Sequence, residues 1–510
     1  MTLCLASLAV GAAAAITRGW PTTSSDSGVF TSVAGRLLAG DRLYVDVFDN
    51  KDPLFYYAAA AAIWLLGWRG PFLLDVAWLA VAGGGAYLLL RALTGEFVVA
   101  VFGLLLYPLL ITQINYYSGN TETPALAFLP VFACLVYVRK PKLAGCLAAV
   151  VFFLKVTVFP IAVVIGLVGL GFGRDAPSRR RARDVLAFIA ATAAAGAIIL
   201  SVLALRGEAG AYFTTLGENR TYASDALTVE GWPAGVRGHL QVIREFLPDR
   251  TRDLALALVA LVIVTLVASV EARARFLRSR LLALSVVAWL STLFVLAETA
   301  LWDQHLELLA FPVLCTAALA LACASTAAGR WSSGVRTLTV CVVAGTCLVA
   351  VSWTGHPIGN LRRWNDAPTA NVSAALERSA AAAQVRGQRV SYAHLGGNDE
   401  QGAGAFLGGS FRLACARFHQ YPFTPERALR NTMQCLKRHS SLLVAVTPLF
   451  AIDSYTYWHR PTPPAWRRFV RTGEAYLGAH CRLLQTRPDV RVYRCGREGA
   501  RNGVRHQFLR

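Results

Sequence analysis

The chain has 510 residues, 55% of them hydrophobic, and a mean hydropathy of +0.46, which excludes an ordinary soluble domain and implies many membrane spans. Its formal net charge of +20 does not mark a nucleic-acid binder. In the first two thirds Arg and Lys fall in short clusters between apolar runs, as in the cytoplasmic loops of membrane proteins, and no nucleic-acid-binding motif accompanies them.

The first apolar segment, Leu3 to Ile16, lacks a charged leader and reads as an uncleaved first span rather than a signal peptide. Apolar runs predict spans near 3–17, 71–90, 97–115, 121–138, 143–157, 159–173, 185–205, 253–270, 281–299, 304–325 and 337–353. Basic clusters put the loops 91–96, 139–142, 174–184, 271–280 and 326–336 in the cytoplasm. The loops 18–70, 116–120, 206–252 and 300–303 then face outward, with everything after 353. This parity requires that Leu54 to Trp68 not cross, as a juxtamembrane or re-entrant helix. The two short spans of 143–173 read as a hairpin hinged near Pro160. Gly83-Gly84-Gly85 reads as a site of close helix packing.

From residue 354 no run is long enough to span, and 23 Lys and Arg against 9 Asp and Glu give this part +14. RVSYAHL, SLLVAVTP and CRLLQTRPDVRVYRC read as strands; Asn371 to Ala383 and Pro425 to Arg438 read as helices. The expected product is a small α/β domain over 354–510, following a membrane domain over 1–353. Seven of the eleven cysteines lie in apolar segments, as small hydrophobes. The other four, Cys415, Cys435, Cys481 and Cys495, allow three disulfide pairings, of which the local one, 415 with 435 and 481 with 495, is expected in an oxidising compartment.

The most informative stretch is Asp26 to Tyr57, which places Asp26, Asp41, Asp46, Asp49, Lys51 and Asp52 in a loop at a membrane surface. Ionisable groups there are costly unless paired, wet or used. Asp26 reads either as a helix N-cap or as a general base. Lys51 reads as a phosphate ligand or as a solvated partner of Asp49 or Asp52. Asp46 and Asp49 are candidate sugar contacts or turn residues, and Tyr56 and Tyr57 line a pocket or join an interfacial aromatic belt.

This stretch carries a resemblance. Asp26-x-Gly28, a helix, Ala39-Gly40 with Tyr44-x-Asp46, and Lys51-x-Pro53-Leu54-Phe55-Tyr56-Tyr57 resemble the first outer loop of GT-C fold glycosyltransferases, in the group of protein O-mannosyltransferases, aminoarabinose lipid A transferases and Rgt-like enzymes. That group has Asp-Glu and Lys-Pro-Pro where this chain has Asp26-Ser27 and Lys51-Asp52-Pro53, and the missing second acid weakens a metal-binding reading. The resemblance covers roughly the first 350 residues as topology and agrees with the mainly α, polytopic helical bundle of about eleven spans plus juxtamembrane helices read above, whose basic loops put the α/β domain on the extracytoplasmic side. It implies a hexosyl- or pentosyltransferase, mannosyl- and arabinosyltransferases among the candidates, that moves a sugar from a polyprenyl phosphate to a hydroxyl of a cell-envelope glycan, lipid or protein. No metal and no cofactor beyond the donor lipid is expected. In that scheme Asp26 is the base and Lys51 holds the donor phosphate.

Further along, Glu122 opens a span, either as a sugar or Arg ligand or as a first-turn acid favoured by the helix dipole. Lys155 interrupts an apolar run and either meets a phosphate or snorkels to the interface. In the long loop 206–252, Arg220 and Trp232 are candidates for acceptor or lipid contact, or form a cap. Asp303 and His305 precede a span where the resembled group carries a His-Tyr pair, here His305-Leu306; His305 reads as a phosphate or sugar ligand or as structural. Two other functions fit parts of the pattern. One is a catalytically inactive GT-C-like scaffold that binds glycan, and the other is a polyprenyl-lipid transporter. The oligomeric state is not legible in the sequence.

Overall fold

The computed structural model describes residues 1–18, 26–114, 120–172, 177–228, 279–298, 303–327, 345, 371–382, 390–396, 411–417, 420, 422, 424–439, 441–448, 450–451, 462–488 and 490–496. The expected span 253–270, and 337–353 apart from residue 345, lie outside these residues.

The first two thirds are helical: α1 (Thr2–Arg18), α2 (Asp26–Leu38), α3 (Pro53–Leu66), α4 (Gly70–Thr94), α5 (Phe97–Ile114), α6 (Glu122–Tyr137), α7 (Pro141–Leu154), α8 (Phe159–Gly171), α9 (Ser178–Leu205), α10 (Ala209–Thr228), α11 (Arg280–Glu298) and α12 (Ala310–Ala327), the last led by a 3-10 turn over Asp303–Leu309. Among the described residues five segments are long and apolar enough to cross a membrane: Gly70–Thr94, Phe97–Ile114, Ser178–Leu205, Arg280–Ala297 and His305–Ser325. Leu186, Ile189, Ile198, Val202 and Leu205 of α9 and Leu290 and Phe294 of α11 are exposed, the surface a bilayer covers in a multi-pass membrane protein. The 14-residue α3 starts at Pro53, where a missing N–H costs nothing, and ends at Gly67, whose φ of +62 suits glycine. At 1.5 Å per residue it spans about 21 Å, short of a crossing.

The glycine triplet packs as expected, toward three partners. A Cβ on Gly83 would meet Leu104 O of α5 at 2.8 Å, one on Gly84 Ser7 Oγ of α1 at 3.0 Å, and one on Gly85 Val131 Cγ2 of α6 at 2.7 Å. Successive helical residues point about 100° apart, so three adjacent glycines clear three sides of α4.

Three expectations change. The hairpin breaks at Lys155, which is extended (φ −161°) and caps α7, while Pro160 sits harmlessly in the first turn of α8. α9 begins at Ser178, so most of the basic cluster read as loop is helix. The segment 206–252 contains α10, a polar helix with no apolar run to announce it.

The C-terminal region holds α13 (Asn371–Ala382), β1 (Val390–Leu395), β2 (Phe411–Leu413), α14 (Glu426–Arg438), β3 (Ser441–Val446), α15 (Pro464–His480), β4 (Cys481–Thr486) and β5 (Arg491–Gly496). The strands read as such in the sequence are present, and α15 and β2 were not anticipated. The sheet order is β2-β1-β3-β5-β4, with β1 parallel to β2 and β3, and β5 antiparallel to β3 and β4. The local disulfides form: Cys415–Cys435 and Cys481–Cys495.

Both sheet faces are buried. Ala393, Leu395, Leu442, Val444 and Val446 pack with Trp466 and Phe469 of α15 and Leu429 and Met433 of α14. The alternate residues Tyr392, Leu443, Ala445 and Val492 pack with Val29, Phe30 and Val33 of α2, Leu43 and Val47 of the first loop, and Tyr56 of α3. Polar contacts cross the same seam: Phe48 N–H donates to Ala416 O at 2.8 Å, and Arg36, paired with Asp41 at 2.7 Å, donates to Phe411 O at 2.9 Å.

Candidate functional site

Where the first loop, the start of α6 and the turn between α7 and α8 meet, polar groups converge inside an otherwise apolar bundle. Lys155 Nζ lies 2.5 Å from Glu122 Oε1 and donates to Thr121 Oγ1 at 3.0 Å. Thr121 in turn donates to Glu122 Oε2 at 3.0 Å, which closes a triangle. His305 Nε2 stands 3.7 Å from Glu122 Oε1. The charges of Lys155 and Lys51 act on Glu122, and so does that of His305 when it is protonated. Glu122 is fully buried, and the Lys155 side chain is 6% exposed. Two residues later on the approach to α12, Glu307 is also fully buried and accepts from Thr123 Oγ1 at 3.1 Å.

The fold explains these positions. Lys155 reaches inward because α7 stops before it and its backbone turns out of the helix. Glu122 sits in the first turn of α6, where the positive end of the helix dipole favours a carboxylate. A buried ion pair by itself says little about stability or use. Here groups from three segments, the start of α6, the turn between α7 and α8 and the 3-10 turn, meet at one carboxylate.

The first loop is held rigidly beside this cluster. Tyr44 has φ +66°, a conformation that costs a non-glycine residue about 1 kcal/mol or more. Its hydroxyl donates to Lys51 O at 2.7 Å, and its ring lies 5.5 Å from that of Tyr212. Asn219 Nδ2 donates to Asn50 O at 2.6 Å. The buried Asp49 accepts from Asn50 N–H at 2.6 Å and from the Tyr56 hydroxyl. Asp52 precedes α3 but does not cap it; its carboxylate accepts from Val156 N–H at 2.8 Å and Tyr212 OH at 3.1 Å. Burial pushes the Asp52 carboxyl above the usual range, against the Val156 N–H and the Lys155 charge, which favour the ionised form.

Tyr57 donates to Glu208, which also accepts from Leu43 N–H and Arg206 Nε, both at 3.0 Å. Burial first, then Glu208, raises the Tyr57 hydroxyl. Arg417 of the C-terminal region pairs with Glu218 of α10 and lies 3.5 Å over the Phe48 ring.

Of the residues singled out in the sequence, Glu122, Lys155 and His305 come together, and Lys51 stands in the loop beside them. Asp49, Tyr56 and Tyr57 serve the loop that carries Lys51. Asp46 lies apart and pairs with Arg42 at 2.8 Å on the surface; that hydrogen bond draws its carboxyl below the usual range. Asp26 is the first residue of α2, and Arg220 and Asp303 lie on α10 and the 3-10 turn. The side chains of these three, and all of Trp232, lie outside the described residues. Reading the sequence missed Glu208 and Tyr212, and it gave Asp52, read as a possible partner of Lys51, and Glu307 no site role of their own. Only the conspicuous position of Glu307, in an apolar run, gave a signal. The grouping of metal-ligand type among the described residues is Cys415, Cys435 and His439, whose two thiols are consumed by their disulfide.

A mostly helical membrane bundle, a rigid first loop and a small mixed-sheet domain docked on that loop define the GT-C class of membrane protein fold. Two solved structures share it. ArnT from Cupriavidus metallidurans in the apo state matches with a TM-score of 0.52 at 14% identity, covering 97% of both chains. The same protein bound to undecaprenyl phosphate matches with a TM-score of 0.50 at 12% identity, again over 97% of both. No family model matches the sequence, and no curated protein matches it.

Proposed function

We propose that this chain is an integral-membrane glycosyltransferase. It moves a sugar from a polyprenyl-phosphate donor to a hydroxyl of a cell-envelope acceptor at the extracytoplasmic face of a bacterial membrane. The observation that carries this reading is the convergence of Lys155 and His305 on Glu122, beside the loop that Asp26 introduces and that carries Lys51. That one ArnT structure was solved with undecaprenyl phosphate supports the lipid class of the donor.

In the reaction Asp26 takes the proton of the acceptor hydroxyl while its oxygen attacks the anomeric carbon. The bond from that carbon to the phosphate oxygen breaks, and its electron pair leaves with the lipid phosphate. Such a base supplies on the order of 10² to 10⁴ in rate. Lys51 and Lys155 offset the charge that gathers on the leaving phosphate, and His305 adds a donor to it. Glu122 keeps Lys155 in place before the donor arrives, and the phosphate then shares its ammonium.

The test is transfer of label from polyprenyl-phosphate sugars into membranes by the wild type and by Asp26→Asn. Transfer is expected to fall at least a hundredfold in the variant, with the protein still folded. Undiminished transfer removes Asp26 from the role of base. Absence of wild-type transfer from a broad panel of donors favours a binding scaffold.

A further inference from the structure

A small cavity lies between α2, α3 and α4 beside Asn120, and nothing in the scheme above uses it. Its walls are Phe30, Phe55, Ala59 and Leu74, and its polar lining includes Asp75, Asn120 and the indole of Trp78. Asn120 is 5% exposed and Asp75 2%. Asn120 Oδ1 accepts from Thr121 N–H at 2.9 Å, which turns its amide nitrogen the other way. That nitrogen and the buried Trp78 indole nitrogen have no hydrogen-bond partner. Two buried donors without acceptors cost about 1–3 kcal/mol each, so a native fold that keeps both has something to put there.

We propose that this cavity takes one hydroxyl-bearing edge of the transferred sugar. The proposal rests on the glycosyltransferase reading and names a specificity subsite within it. Asn120 adjoins Thr121, which holds Lys155, and Phe55 follows two residues after Pro53, so the cavity borders the cationic cluster. A sugar hydroxyl both accepts and donates. It satisfies the Asn120 and Trp78 N–H groups as acceptor and reaches the Asp75 carboxylate as donor. The aromatic walls suit the C–H face of a pyranose or furanose. The free space is about 20 Å³, room for one or two oxygen-sized groups and not for a ring. Only an edge enters, so the site reads one or two ring positions rather than the whole sugar.

The experiment measures affinity of the full-length protein in nanodiscs for undecaprenyl phosphate and for undecaprenyl phosphate carrying a hexose or a pentose. Trp78→Phe keeps the bulk and removes one donor; Asn120→Asp keeps the acceptor for Thr121 N–H and removes the other. The wild type is expected to prefer one glycosylated lipid over the bare lipid. Each variant is expected to lose about three- to tenfold for that lipid, with bare-lipid affinity unchanged. Equal losses on both lipids overturn the subsite and mark the residues as structural. No loss on either also overturns it and leaves a structural water as the occupant. A wild type that binds the bare lipid alone overturns the subsite and spares the phosphate cluster, whereas one that binds neither lipid overturns both readings.

Discussion

The polar cluster and the C-terminal domain use the same residue types to opposite ends. In the domain, Arg430 and Arg468 both meet Glu426 at 3.0 Å, with all three side chains more than 40% exposed. Such surface pairs contribute about 0–1 kcal/mol and fix little. In the bundle, Glu122, Lys155, Asp49, Asp52, Glu208 and Glu307 are all buried. Each is committed to partners, all but Asp49 to partners from a distant part of the chain, because an unpartnered charge there is too costly to keep. The domain holds most of the net charge, yet the arrangement capable of chemistry lies where charges are few and enclosed.

The largest expected effect comes from breaking the enclosed pair. Lys155→Met should reduce transfer at least a hundredfold and destabilise the protein by about 3–5 kcal/mol, because Glu122 is left buried and charged. Adding Glu122→Gln should restore most of the melting temperature and none of the transfer. Recovery of transfer in the double variant makes the pair purely structural.

In the domain the expectation reverses. Replacing Cys481 and Cys495 by Ser opens a link with a sequence separation of 14 and should cost about 3 kcal/mol. Transfer per folded molecule should stay near wild type. A proportionate loss of transfer by folded protein would show that the domain works in the reaction as well as bracing the loop.

Asp52 provides a pH test. Its folded-state pKa is raised, chiefly by burial, so the folded protein holds this proton more tightly than the unfolded chain does. The carboxylate is therefore neutral toward folding in acid. It becomes unfavourable as pH rises from the unfolded value, about 4, through the raised folded value, and the cost is complete above that. Melting temperatures of wild type and Asp52→Asn between pH 3 and 8 should diverge in that window, with the variant gaining as pH rises. The opposite slope would mean that the Val156 N–H and Lys155 outweigh burial.

The smallest effect is expected at Asp46, whose side chain is 37% exposed and paired with an Arg42 that is 48% exposed. Asp46→Asn should change stability by less than about 1 kcal/mol and leave transfer nearly intact. A tenfold loss of transfer would move Asp46 into the site.

What the sequence made visible follows from the same contrast. Lys155, Glu122 and His305 stood out because a polar group in an apolar run is conspicuous, and the fold brings them together. Asp75 obeyed that rule too, inside the run from Pro71 to Leu90, and was overlooked because no motif accompanies it there. The burial of Asp52 and Glu208 was illegible for a different reason. Each sits in a stretch polar enough to pass for solvated loop, and only tertiary packing buries it. α10 stayed hidden likewise, since its residues carry no apolar period. The disulfides were legible because each pair is close in sequence.

The three glycines of α4 also bear on how the molecule is made. Gly84 receives α1, already synthesised when α4 emerges; Gly83 receives α5, the next long helix; and Gly85 receives α6, which follows. Three seams meeting on adjacent residues thus need parts of the chain made at successive moments of translation, and α4 is the post that all three share. A methyl group added at any one of the three obstructs a different step of that assembly.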